Sequence, residues 1–222
     1  MRALQIFLLF NLTAACCADT ADVSRQLESL IADTPIPGIV SAAWKDGEVL
    51  ASGAAGVRKV GSKSRVKISD RFHIGSCTKS MTATLAALLV ADGKIRWDET
   101  LSEAFPTLTI HPQYQSVTLQ QLLTNSGGAP GEVDAVLWKQ AWLARGSQRS
   151  QRMLFARGTL TEAPVETPGT KYVYSNTGFS LAGVMIEEAC DEAFEKVLRD
   201  RLFVPLGMAS AGFRAPAKNG KV

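Results

Sequence analysis

Apolar residues fall at Val23, Leu27, Leu30 and Ile31, spaced i, i+4, i+7 and i+8. That spacing lines one face of an α-helix, so an amphipathic helix is predicted there. Thr34-Pro35-Ile36-Pro37-Gly38 ends it. Ile39 to Lys45 and Glu48 to Gly53 then read as two strands, joined at Asp46-Gly47, a strong hairpin signal. After Gly75 the period changes. Met81, Leu85, Leu88 and Leu89 predict a helix over 76–92, stopped by Gly93. Thr118 and Gln121 make a capping box, and Val117 with Leu122 a hydrophobic staple. A short helix through Leu123 should come next, ended by Gly127-Gly128. Residues 133–157 read as a broken helix. Phe179, Ala182, Met185, Ile186 and Ala189 predict another, and Phe194, Val197, Leu198 and Leu202 one more, stopped near Pro205 and Gly207.

Composition narrows this little. The chain has 222 residues, 46% hydrophobic and 20% charged, which suits one domain or one domain of two lobes. A net charge of +3 gives no case for nucleic acid or for an anionic membrane surface. His73 and His111 are too few for a histidine-rich metal site, and no zinc spacing or internal repeat is present.

The first eighteen residues, MRALQIFLLFNLTAACCA, change the picture. Arg2 starts a short positive region, Leu4 to Leu12 form an apolar stretch too short to span a bilayer, and small residues come after it. A signal peptide over 1–18, cut before Asp19, and a periplasmic or secreted protein are expected. A lipid anchor on Cys16 is the rival, with Thr13 standing where a leucine-like residue is wanted. Cleavage would leave Cys77 and Cys190 in the mature chain. Both read as buried thiols, although export permits a disulfide.

Candidate chemistry begins at residues 75–80, GSCTKS. Ser76 and Lys79 are three apart at the start of a predicted helix, so they share a face. The similar Ser64-Arg65-Val66-Lys67 lies in a stretch without helical period, where that spacing carries no such meaning. A serine becomes a nucleophile when a base takes its proton, and neutral lysine can be that base. Free lysine titrates near about 10.4 and a useful base near about 7–8, a difference of about 4 kcal/mol against the ammonium. Burial or a nearby cation can supply it. The helix N-terminus adds positive potential and free N–H groups. The alternative is Ser76 as a helix cap beside a solvated Lys79.

Residues 168–178, PGTKYVYSNTG, add a second cluster. Tyr174 can shuttle a proton between the serine, the lysine and a leaving group. Asn176 can donate to a substrate carbonyl and help hold Lys79. The alternatives are a half-buried tyrosine and a helix cap.

Together the two stretches resemble the serine β-lactamase and penicillin-binding-protein superfamily, with class C β-lactamases, family VIII carboxylesterases and D-alanyl-D-alanine carboxypeptidases as the nearest likenesses. FHIGSCTKSMTA is similar to the family's nucleophile segment, and LLTNSGGAP at 122–130 to its LLTHxSGxP. YSNTGFSLAGVMIEEA and LFVPLGM resemble its tyrosine segment and the stretch after it. The likeness covers about residues 22–214. It implies an α/β (α+β) fold, an antiparallel sheet flanked by helices with a helical lobe beside it, over 19–222. It implies Ser76 as acyl-accepting nucleophile, Lys79 as base or relay, Tyr174 as second acid/base and Asn176 as a substrate-positioning group, with no metal or organic cofactor.

Two positions depart from the family. Asn125 stands where many relatives have histidine, and a structural role is expected there. The family's Lys/His-x-Gly strand is absent, since Lys218-Asn219-Gly220 lies too close to Tyr174. The domain is therefore expected to be C-terminally incomplete and weakly active alone, with a hairpin edge lacking β partners and an apolar face open to solvent. The resemblance implies β-lactam or small ester substrates. Alternatives are D-alanyl-D-alanine peptides of peptidoglycan type, or a non-catalytic exported binding protein. Arg145, Arg149, Arg152 and Arg157 read as a solvated face, Trp138 and Trp142 as core, and Cys77 as a packing residue.

Overall fold

The computed structural model describes residues 20–132 and 134–216. The expected signal segment, residues 1–18, and Lys218-Asn219-Gly220 lie outside the described residues. Two compact units are distinguished, one holding residues up to Phe72 and one spanning His73–Arg214.

The first unit opens with β1 (Ala21–Asp22), α1 (Ser24–Ile31), β2 (Gly38–Lys45) and β3 (Glu48–Gly56). Asp46 and Gly47 both take positive φ, 54° and 84°, which makes the tight turn between β2 and β3. The strands pair antiparallel from Gly38↔Gly56 to Lys45↔Glu48, with an irregularity between Ala43 and Trp44. Among the described residues β2 is a hairpin edge with no further β partner, while β3 does have one. β1 pairs parallel with β3, giving the order β1-β3-β2. Two residues are too few to leave a readable period, so β1 is silent in the sequence.

Leu27 and Ile31 of α1 pack with Ala55 as a small core. Gly53 permits this approach, because a Cβ there would lie 2.7 Å from the Ser24 amide nitrogen. Trp44, Val49 and Leu50 are exposed.

The second unit is helical. A 3₁₀ turn at Gly75–Cys77 leads into α2 (Thr78–Ala91). Then come α3 (Leu101–Ala104), α4 (Pro112–Gln115), α5 (Leu119–Leu123), α6 (Ala135–Leu143), α7 (Gln148–Thr161), α8 (Asn176–Cys190) and α9 (Phe194–Leu198). A π-helical turn, Arg199–Phe203, extends α9. The Thr118–Gln121 capping box forms as expected, and Thr100 with Glu103 forms a second. Helix α5 runs through Leu123 as expected, but its stop is Thr124 and Asn125, which takes the left-handed conformation at φ 58°, ahead of Gly127-Gly128.

Helix α8 is apolar around most of its circumference, and a helix of that kind belongs inside. Leu181, Ala182, Val184, Met185 and Ile186 are fully buried. Leu85, Leu89, Leu122, Leu160 and Leu198 belong to the same core.

One charged side chain is equally deep. Glu187 has 0% exposure, and its two oxygens accept from Arg152 Nη2 at 2.6 Å and Nε at 3.1 Å. Glu187 also accepts from the Phe194 amide at 2.8 Å, at the start of α9. Arg152 reaches Glu195 as well, at 2.8 Å. Burial works against the guanidinium charge, but Glu195 and Glu187 outweigh it and raise the Arg152 pKa. Arg149 bonds Glu188 and Asp191. The four arginines are thus not a uniformly solvated face, because two of them tie α7 to the segment 187–195.

Three further expectations are corrected. Trp138 and Trp142 are largely exposed, not core. Leu137 and Ala141, at the same spacing, turn inward instead. Cys77 is exposed, and Cys190 is only partly buried; neither is bonded.

Breaking a buried pair leaves its partner charge unsolvated and costs about 3–5 kcal/mol. Glu187→Ala is expected to destabilise by that amount in urea unfolding. Glu188→Ala, at a partly exposed pair, should cost under about 1 kcal/mol.

Candidate active site

Two loops and two helix starts build the site, all within the second unit. Gly75, at φ 51°, turns the chain into the 3₁₀ turn that carries Ser76. Lys79 comes next, in the first turn of α2. Across from them, Ser175 caps α8, its Oγ accepting from the Gly178 amide at 2.7 Å and donating to the Pro130 carbonyl at 2.6 Å. Asn176 is therefore the first residue of α8, and Tyr174 lies just before the cap.

Residues 125–131 hold that segment in place. The Asn125 carbonyl accepts from Val173 N at 2.8 Å, and Asn125 Oδ1 accepts from Ser175 N at 2.9 Å. The Gly131 carbonyl accepts from Asn176 N at 3.0 Å. Asn125 is a backbone latch, the structural role expected at this position. Its left-handed turn aims both acceptors at the segment 173–175, a conformation asparagine tolerates better than most residues.

Four side chains named from the sequence come together. Tyr174 OH donates to Ser76 Oγ at 2.6 Å. Lys79 Nζ lies 3.4 Å from Ser76 Oγ and 2.5 Å from Asn176 Oδ1. Lys79 Nζ sits 4.6 Å from the Tyr174 ring centre and 5.4 Å from that of Phe179. Hydrogen bonding with Lys79 and Ser76 lowers the Tyr174 pKa below its ordinary 10.0, while burial and the Glu132 carboxylate oppose this.

Glu132 was missed in the sequence. Its Oε1 accepts from Asn176 Nδ2, so Asn176 bridges a lysine and a carboxylate. Nothing local marks it: it is a loop glutamate after Pro130-Gly131, identifiable only once Gly131 is seen to bond Asn176.

A cavity of about 540 Å³ opens beside the cluster, with Ser76, Lys79, Asn176, Phe179, Gly183 and Arg152 among its lining residues. Its size suits a small organic substrate. Among the described residues, no three His, Cys, Asp or Glu side chains gather to hold a metal, and no helix is long and apolar enough to cross a membrane.

A small sheet with a helical unit, carrying a Ser-x-x-Lys turn against a Tyr-x-Asn segment, defines the serine hydrolases of β-lactamase fold. The family model described as Beta-lactamase matches residues 23–221, and the chain belongs to that family. It is 28% identical to penicillin-binding protein 4 of Amycolatopsis lactamdurans over 86% of this chain and 48% of that one. The octameric penicillin-binding protein homologue from Pyrococcus abyssi superposes with a TM-score of 0.68 at 30% identity, over 83% of this chain and 43% of that one. The D-amino acid amidase from Ochrobactrum anthropi SV3, complexed with L-phenylalanine amide, gives a TM-score of 0.64 at 30% identity, over 82% and 48%. The chain spans about half the length of these relatives.

The latch can be tested directly. Asn125→Ala removes the Oδ1 acceptor and puts a Cβ-bearing residue with no polar side chain at positive φ. It should cost about 1–3 kcal/mol. Asn125→Gly should recover the conformational part, and Asn125→Asp, which keeps the acceptor, should lose least. Urea unfolding of the three variants decides the order.

Proposed function

We propose that the protein, over residues 19–222, is a serine hydrolase that forms an acyl-enzyme on Ser76. The 2.6 Å contact between Tyr174 OH and Ser76 Oγ carries this reading, with Lys79 held alongside by Asn176. As Ser76 Oγ bonds the substrate carbonyl carbon, its proton passes to the Tyr174–Lys79 pair. The same pair returns a proton to the leaving alcohol or amine as the carbonyl–heteroatom bond breaks. Water then repeats the exchange in reverse and frees the acid. The Ser76 N–H, at the start of the turn, serves as an oxyanion donor. Asn176 orients the substrate while fixing Lys79.

β-Lactams and small esters are the leading substrates. D-alanyl-D-alanine peptides share the chemistry; the rival reading is a non-catalytic binding protein on the same scaffold, which never acylates. One observation favours a further class. Glu132 presents a carboxylate at Asn176, which suits an amide or ester bearing a free ammonium group. The likeness to a D-amino acid amidase agrees with this.

A fluorophosphonate probe or labelled penicillin should mark Ser76, located by peptide mass spectrometry. Ser76→Ala should abolish labelling. Tyr174→Phe should slow it by about 10²–10⁴. Because the Tyr174 pKa is lowered, the labelling rate should rise with pH through a midpoint below 10.0, and that limb should vanish in Tyr174→Phe. Glu132→Gln should weaken reaction with cationic substrates about 10–100-fold and spare nitrocefin. A folded protein that never labels at Ser76 is the binding protein.

We also propose export through residues 1–18, giving a periplasmic or secreted protein. N-terminal sequencing after expression in a bacterial host should read from Asp19. An intact Met1 would overturn export, and lipid on Cys16 would replace cleavage with anchoring.

A further inference from the structure

Helices α6 and α7 carry an asymmetry of charge and exposure that the proposed reaction does not use. Between Ala135 and Thr161 there are five cations, Lys139, Arg145, Arg149, Arg152 and Arg157, and no carboxylate. The whole-chain charge of +3 dilutes this. Arg149 and Arg152 are spent on the segment 187–195. Lys139, Arg145 and Arg157 are exposed, and among the described residues they form no ion pair.

The apolar side chains of α6 are placed just as oddly. Leu137 and Ala141 face inward, with Leu137 against Gly158 of α7. The remaining large side chains face water: Val136 is 62% exposed, Trp138 55%, Trp142 72% and Leu143 66%. The two indoles stack on each other with centroids 6.1 Å apart, and Trp138 meets the edge of Phe155. Two neighbouring exposed tryptophans on one short helix are not scattered surface apolars, which need no explanation. A contiguous patch of this kind marks an interaction site.

We propose that α6, with the adjoining basic residues of α7 and the turn between them, docks on the surface of an anionic phospholipid bilayer. Three features select this occupant. Helix α6 projects its apolar side chains outward instead of enclosing a groove, which suits a soft planar phase. Indoles settle at the headgroup level, where one end of the ring is apolar and the other wet. Lys139 directly follows Trp138, Arg145 comes three residues after Trp142, and Arg157 two after Phe155, so negative headgroups would neutralise these unpaired cations as the rings enter. The contact is peripheral and needs no spanning segment.

The test is co-sedimentation of the full protein with vesicles of phosphatidylcholine alone and with about a third phosphatidylglycerol. Binding is expected on the anionic vesicles only, weakening as salt rises, with a blue shift of tryptophan fluorescence. Trp142→Ala should reduce binding about tenfold. Lys139→Gln, Arg145→Gln and Arg157→Gln should each reduce it about fivefold. Trp142 is the better probe, since Trp138 also supports Phe155. Circular dichroism must show each variant folded. Equal binding to neutral and anionic vesicles overturns the proposal, as does binding unchanged in folded Trp142→Ala. So does no vesicle binding by the folded parent, including the case where an acidic protein binds this face instead.

Discussion

A carboxylate with no access to water organises the helical unit. Glu187 meets Arg152 of α7 through two hydrogen bonds and the first amide of α9 through a third. A charge so placed has no tolerable alternative to its partners, because moving any of them strands it in an apolar medium. Three helices are thereby tied to one another at their polar points. Apolar packing around α8 would allow small slides of one helix over another. The ion pair does not.

Rigidity in α8 matters because of what stands at its other end. Asn176 is its first residue, and the chain entering it carries Tyr174. The Ser175 cap and the Asn125 latch then transfer the position of α8 to the tyrosine hydroxyl. Ser76 has a separate support, the turn beginning at Gly75. The cluster is therefore a meeting of two independently braced backbones, a better foundation for sub-ångström placement than mobile loops.

The elements readable in the sequence were those whose causes are local. The helix of Val23 to Ile31, the Asp46-Gly47 turn and the Thr118 box depend on neighbours a few residues away. Ser76, Lys79, Tyr174 and Asn176 were nameable because their motifs are short and ordered along the chain. The errors have physical sources. Trp138/Trp142 and Leu137/Ala141 share one spacing, and only Gly158 on another helix, with room for Leu137, decides which pair goes inside. Cys77 lies in a 3₁₀ turn, where each residue advances about 120° instead of about 100°, so α-helical register misplaces its side chain. The partners of Arg152 lie 35 and 43 residues away and leave no mark beside it. Glu132 has no motif at all. It is adjacent to Asn176 only through the loop that Gly131 pins.

The contact between Tyr174 and Ser76 joins residues 98 apart in the chain. That separation has a consequence in time. Non-local contacts wait on loop closure, so they form after the local turns and helices around them. A ribosome that has just released Ser76 must add nearly a hundred more residues before the phenol exists. Until then the growing polypeptide carries an ordinary serine hydroxyl, no more reactive than any other. The Tyr174–Ser76 contact is withheld from nascent and unfolded chains by topology alone.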